Sequence, residues 1–258
     1  MDILLYILAG ASVGFIVGIT GIGGGALMTP LLLLFGFPPN IAVGTDLMYA
    51  SLTKASGVYS HHKQKHVEWK LVKLLALGSL PAALITGYSL QSVFEDSASY
   101  EAIIKNSLGF MLLLTAFVVI FRNQLQRLTM RSKSVNNEKF RDVLTFAMGI
   151  VLGVLVTLTS VGAGAIGTAV LMLLYPALRS SHVVGTDIAH AVPLTACAGL
   201  VHMALGNVDF GLLFALLVGS IPAIQLGSKV SHHLPDSVLK PLLASILFFL
   251  GAKYAFFS

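Results

Sequence analysis

Residues 43–46 read Val43-Gly44-Thr45-Asp46, and residues 184–190 read Val184-Gly185-Thr186-Asp187-Ile188-Ala189-His190, so one four-residue string recurs 141 positions on. The same register carries Gly21-x-Gly23 onto Gly162-x-Gly164, His61 onto His202, and Gly78-Ser79-x-Pro81-Ala82 onto Gly219-Ser220-x-Pro222-Ala223, with no gap. Two apolar stretches aligned by chance share Leu and Ala; they do not share an Asp, a Pro and several Gly in one register. The chain therefore reads as an internal duplication, with repeats at 1–121 and 142–258 joined by a polar stretch at 122–141.

What kind of protein is duplicated follows from its charge. Of 258 residues only 16 are Lys or Arg and 11 are Asp or Glu, 10% in all, against 56% hydrophobic and a mean hydropathy of +0.87. Soluble domains carry about 25% charged residues, so a soluble enzyme is excluded, as are disordered, coiled-coil and collagen-like chains. The expected fold is an all-α polytopic membrane protein. The +5 net charge does not indicate a nucleic-acid partner, because the basic residues lie between apolar segments and not in an aromatic-interleaved patch. Cys197 is the single cysteine, which excludes an internal disulfide or a cysteine metal cluster. Met1-Asp2-Ile3 bring no basic residue before the first apolar run, so that segment is expected to be retained.

A helix needs about 20 apolar residues to cross the hydrocarbon layer. Apolar segments fall at 3–20, 23–37, 41–60, 70–90 and 102–121, then at 142–159, 164–178, 183–204, 210–228 and 237–257. The second of each half is too short to cross comfortably. Five segments per half would turn the second copy upside down, as in inverted-repeat transporters. Charge agrees: Lys63, Lys65 and Lys70 follow segment three in the first copy, whereas residues 204–209 carry no base. The next loop reverses this, with Glu95, Asp96 and Glu101 against Lys229 and Lys240. The inverted reading puts 13 of the 16 basic residues on the cytoplasmic side, including the stretch from Arg122 to Arg141. If the short segments only dip in and out, the copies are parallel and Arg179, Lys229 and Lys240 move outside.

Candidate site residues are those a bilayer tolerates poorly. Gly18-x-x-Gly21-x-Gly23-Gly24-Gly25 should break its helix, since each Gly costs roughly 1 kcal/mol relative to Ala. The freed backbone groups must then face protein, water or a ligand. Gly10 and Gly14, like Gly149 and Gly153, have the four-residue spacing of a close helix-packing face. Gly162-Ala-Gly164-Ala-Ile-Gly167 matches a dinucleotide fingerprint, but without the soluble strand-turn-helix setting that gives it meaning. Asp46 and Asp187 each cost about 2.5 kcal/mol or more inside a membrane segment; they are expected either to cap helix ends or to serve an ion or substrate pathway. Lys54, His190 and His202 also lie within apolar segments. Asp187 and His190 are three apart on one helical face, too few ligands to specify a metal site. Pro81 and Pro222 are expected to kink the fourth segment of each half.

These strings resemble the TauE/SafE sulfite exporter family of membrane permeases, on Gly18 to Gly25 with Pro30, Ala42 to Asp46, Thr159 to Ala165, Val184 to Pro193 and Gly219 to Pro222. The second copy departs with Ala165 and Ile166 in place of Gly24 and Gly25, and Leu171 in place of Pro30, so the two half-sites differ chemically. The resemblance implies secondary transport of sulfite, thiosulfate, organosulfonates or related acids across a bacterial inner membrane. The expected binding set is Gly21, Gly23, Gly24, Gly25, Thr45, Asp46, Lys54, Gly162, Gly164, Thr186, Asp187 and His190. Alternating access between the two repeats is the expected mechanism, with Asp46 and Asp187 ordering the glycine loops or carrying a coupled proton. A passive anion channel and a carrier of a non-sulfur organic acid are the alternatives. No cofactor, metal or catalytic residue is expected, and no recognisable nucleophile, base and orienting group occur together. The partners would be a small anion, a proton and the lipid bilayer, with a second copy of the chain as a candidate.

Overall fold

The structure, a computed structural model, describes residues 3–20, 27–93, 97–131, 137–230 and 236–256. Every regular element among them is a helix: α1 (Ile3–Thr20), α2 (Met28–Leu34), α3 (Pro39–Lys63), α4 (Trp69–Val93), α5 (Ser97–Arg131), α6 (Glu138–Thr159), α7 (Ala165–Leu174), α8 (Ser180–Ala204), α9 (Phe210–Val230) and α10 (Asp236–Phe256). A chain this apolar must satisfy its backbone within each segment, and helices do so. Among the described residues, five stretches are long and apolar enough to cross a membrane: Trp69–Leu90, Ile103–Phe121, Glu138–Thr159, Ser180–Ala204 and Phe210–Gly227. Large apolar side chains point outward on several of them, as with Phe214, 71% exposed, and Phe249 on α10, 73% exposed. That surface is suited to lipid and not to water.

The ten expected segments correspond to the ten helices, with two differences. α2 has 7 residues and α7 has 10, so at 1.5 Å per residue they are about 10 and 15 Å long against a hydrocarbon layer of about 30 Å. They are half-helices, shorter than the apolar stretches that contain them. The polar stretch at 122–141 is mostly helical, because α5 runs on through Arg131 and α6 begins at Glu138. Asn137 caps α6 by accepting from the Phe140 N–H at 3.3 Å, and Lys70 ties α4 to α6 through Glu138 at 2.8 Å and Asp142 at 2.9 Å.

The two halves are interlocked. α1 packs on α9, and α4 on α6, through glycines that let backbones touch. A Cβ on Gly10 or Gly14 would run into α9 at Leu216 or Ser220, and one on Gly149 or Gly153 into α4 at Leu75 or Ser79. The four-residue glycine spacing is thus a packing face. α5 meets α10 where Gly109 faces Tyr254 and Ala255, while Gly251 faces Leu113. At the centre α3 and α8 lie antiparallel. Gly44, near the start of α3, abuts His202 and Asn207 at the end of α8, and Gly185, near the start of α8, abuts His61 and His66 at the end of α3.

Both central helices end in the same turn. His66 N–H bonds to His61 O at 2.9 Å and Lys65 N–H to His62 O at 3.0 Å; Asn207 N–H bonds to His202 O at 2.9 Å and Gly206 N–H to Met203 O at 3.1 Å. This pair of bonds needs a left-handed residue after the helix. Gly206 fills that position with φ +75°, and Lys65 fills it with φ +58°.

Candidate functional site

The two aspartates face inward from the middle of the molecule, each the eighth residue of its helix. Asp46 is 0% exposed, Asp187 1%, His190 0% and Lys54 6%. Lys54 follows Asp46 by eight positions, a little over two helical turns, so both lie on one face of α3. Its ammonium shares this buried centre with Asp187, Asp46 and His190 but makes no hydrogen bond to any of them. One cation and two carboxylates therefore share a water-excluded centre, where unmatched charge is costly.

The aspartates are built differently. Thr29, the second residue of α2, donates to Asp46 Oδ2 twice, from its N–H at 3.2 Å and its hydroxyl at 2.5 Å. Asp46 thus caps the neighbouring half-helix, not its own, and satisfies an orphan N–H of the first turn. Ser160 also lies beside Asp46, with its Oγ free of any hydrogen-bond partner. Ser160 closes α6 in the left-handed conformation, φ +57°. Asp187 has no such frame: neither carboxylate oxygen has a hydrogen-bond partner, and Lys54 Nζ has none either. Asp187 Oδ1 lies against Gly167 in the first turn of α7, where a Cβ would collide with it. The Gly167 N–H is committed to Gly162 O at 3.2 Å.

The break before α7 is formed by Ser160, Gly162 at φ +116° and Gly164 at φ +123°. Gly162 and Gly164 sit in the loop that leads into α7, whose first turn lies against Asp187. Gly21, Gly23, Gly24 and Gly25 lie outside the described residues, between the ends of α1 and α2. Thr45 and Thr186 fall one residue before the aspartates, and loops claim their hydroxyls. Thr45 Oγ1 accepts from the Asp209 N–H at 3.1 Å and Thr186 Oγ1 from the Glu68 N–H at 2.9 Å. These two contacts close opposite ends of the α3–α8 pair.

Three further side chains complete the centre: Thr29, with no sequence signal of its own, and Ser160 from the Thr159 to Ala165 string at Asp46, and Ser79 from the repeated Gly-Ser-x-Pro string, whose Oγ lies 2.8 Å from His190 Nε2. His202 stands apart as a structural residue. Asn40 Nδ2 donates to Asn207 Oδ1 at 2.9 Å, Asn207 Nδ2 approaches His202 Nδ1 at 3.3 Å, and His202 Nε2 lies 2.8 Å from Thr157 O. An amide that donates to Nδ1 fixes the neutral tautomer with its proton on Nε2, directed at the carbonyl.

Residues 6–254 match the family model described as Sulfite exporter TauE/SafE. The chain belongs to this family. It is 41% identical to the probable membrane transporter protein YjnA of Bacillus subtilis over 96% of this chain and 97% of that one. To the probable membrane transporter protein YdhB of the same organism it is 29% identical over 95% and 99% of the two chains. A probable membrane transporter protein of Methanocaldococcus jannaschii is 29% identical over 93% and 91%. No solved structure matches the chain. As a TauE/SafE member with several membrane-length helices, the protein is a multi-pass membrane transporter, and the buried Lys54, Asp46 and Asp187 are its candidate transport site.

Proposed function

We propose that this TauE/SafE protein is a proton-coupled secondary transporter of small sulfur-containing anions in a bacterial inner membrane. The observation that carries the reading is a buried ammonium, Lys54, with no hydrogen-bond partner, beside a carboxylate that has none either. Buried polar groups are normally hydrogen-bonded, and a cation left this open at the centre of a transporter is suited to a small anion. The break before α7, whose first turn meets Asp187, offers backbone for the same ligand. The antiparallel α3 and α8, which carry the matching Val-Gly-Thr-Asp strings, support two inverted repeats at 1–121 and 142–258, with the basic ends of α5 and α6 in the cytoplasm.

Alternating access in this architecture does not separate the halves. The first half's α1 and α4 pack on the second half's α9 and α6 across close glycine contacts. The units that move as bodies are the mixed pairs α1–α9 and α4–α6, against the α3–α8 centre. Uptake of radiolabelled sulfite, thiosulfate, sulfoacetate and taurine into proteoliposomes tests the reading. Saturable uptake of at least one is expected, and Lys54→Gln abolishes it. No saturable uptake of any of the four, or uptake unaffected by Lys54→Gln, overturns it.

A further inference from the structure

We propose that the two aspartates divide the work of coupling: Asp187 takes up and releases the proton as Lys54 passes from Asp187 to the transported anion, while Asp46 stays ionised as part of the frame. This rests on the transport reading above and names the residue and the ion on which coupling turns.

The difference lies in what each carboxylate touches. Asp46 Oδ2 accepts from both the N–H and the hydroxyl of Thr29, two donors that favour its ionised form and cap α2, although its Oδ1 has no partner. At Asp187 nothing has to be displaced, because no donor reaches either oxygen. Gly167, whose backbone lies against Asp187, has its N–H bonded to Gly162 O. The charged and titratable groups facing Asp187 are Lys54 and, beyond it, Asp46 from α3, and His190 on its own helix. α4 brings Ser79 to His190, α7 has no charged residue, and those of α6 are confined to its outer end, Glu138 to Asp142. A proton needs only one carboxylate oxygen, whereas a metal cation needs several ligands and the described residues hold no cluster of three or more His, Cys, Asp or Glu, so the coupling ion is the proton.

The charges balance. In the resting site the Lys54 ammonium faces the Asp187 carboxylate. An anion entering with one proton gives that proton to an Asp187 oxygen, and the freed ammonium pairs with the anion. The net charge of the site is then unchanged for a monoanion. On the far side the anion and the proton leave and the ion pair re-forms. A singly charged anion therefore crosses with no net charge movement, and a dianion carries one negative charge.

In proteoliposomes loaded with a pH dye, external sulfite should acidify the lumen of wild-type vesicles. D187N should lose acidification and proton-driven net uptake while still exchanging labelled for unlabelled sulfite, with a rate that no longer varies with pH. D46N and T29V should lower thermal stability and scale net uptake and exchange down together, with pH dependence intact. Substrate-free infrared titration of the purified protein gives a second readout: a pH-dependent protonated-carboxyl band present in wild type and T29V and absent in D187N. Wild-type pH dependence in D187N, the exchange-only behaviour in D46N instead, or uptake driven by a sodium gradient would each overturn the proposal. If no sulfur anion is transported, the substrate assignment fails by itself. The infrared comparison still decides the proton's residue, and a band that survives D187N sinks it.

Discussion

At the scale of single residues, the same Val-Gly-Thr-Asp string does two different jobs, and the difference comes from what packs beside it. Asp46 meets the start of a half-helix through Thr29, whereas Asp187 meets Gly167 and the open end of Lys54. Repeat symmetry is also broken at Lys54, whose counterpart 141 positions on is Thr195, which bonds its own helix at Ala191 O. The centre therefore holds one cation where a symmetric site would hold two or none. The Asn40–Asn207–His202–Thr157 chain belongs to this scale too. Asn207→Ala removes a donor and an acceptor from fully buried partners and should lower stability by about 1–3 kcal/mol, read as a fall in thermal melting in detergent; an unchanged melt would show that the chain is slack. Asp46, Asp187 and Lys54 were visible in the sequence because a charge within an apolar run is conspicuous. Thr29, Asn40 and Asn207 were not, and Ser79 stood out only as a member of the repeated Gly-Ser-x-Pro string, without a role. Serine, threonine and asparagine are ordinary in such runs, and their partners lie 17, 111 and 167 positions away, where no spacing rule reaches.

At the scale of elements, the two central helices share one terminating turn with two different residues in the left-handed position. Gly206 adopts it freely, whereas Lys65 must hold a Cβ in a conformation that costs roughly 1–2 kcal/mol for an L-residue. Lys65→Gly should raise thermal stability by up to about 1 kcal/mol, less than the full strain because glycine also gains freedom in the unfolded chain. A lower melting temperature would mean that the lysine side chain contributes more than its backbone costs. The half-helices were less legible. Hydropathy placed apolar runs at 23–37 and 164–178, but a run records composition and not where the backbone turns; the α7 break depends on the φ values of Ser160, Gly162 and Gly164. The long polar stretch is a separate case. Its charges mark an exit from lipid, and a helix can continue past that point, as α5 does.

For the whole molecule, the antiparallel α3–α8 pair makes a topological prediction. With Cys197 replaced, single cysteines at Lys63, the last residue of α3, and Phe210, the first residue of α9 after the end of α8, should label from opposite sides of the membrane with an impermeant thiol reagent. The Lys63 position, with Lys65, Lys70 and Lys73 nearby, should be the cytoplasmic one. Labelling of both from one side would refute the inverted arrangement.

The exchange of helices between halves also sets an order of assembly during synthesis. Gly10 and Gly14 on α1 leave the ribosome roughly 200 residues before Leu216 and Ser220, the α9 backbone they must touch. At about 5–20 residues per second that gap lasts roughly 10–40 s. For all of that time the small-residue face of the first helix has only lipid, an insertion factor or the wrong neighbour beside it. Another copy of α1 on a nearby ribosome presents the same glycine groove. Nascent chains are therefore most exposed to mispairing at their first helix, and crowding of ribosomes on one message should reduce the yield of folded protein more than slow elongation does.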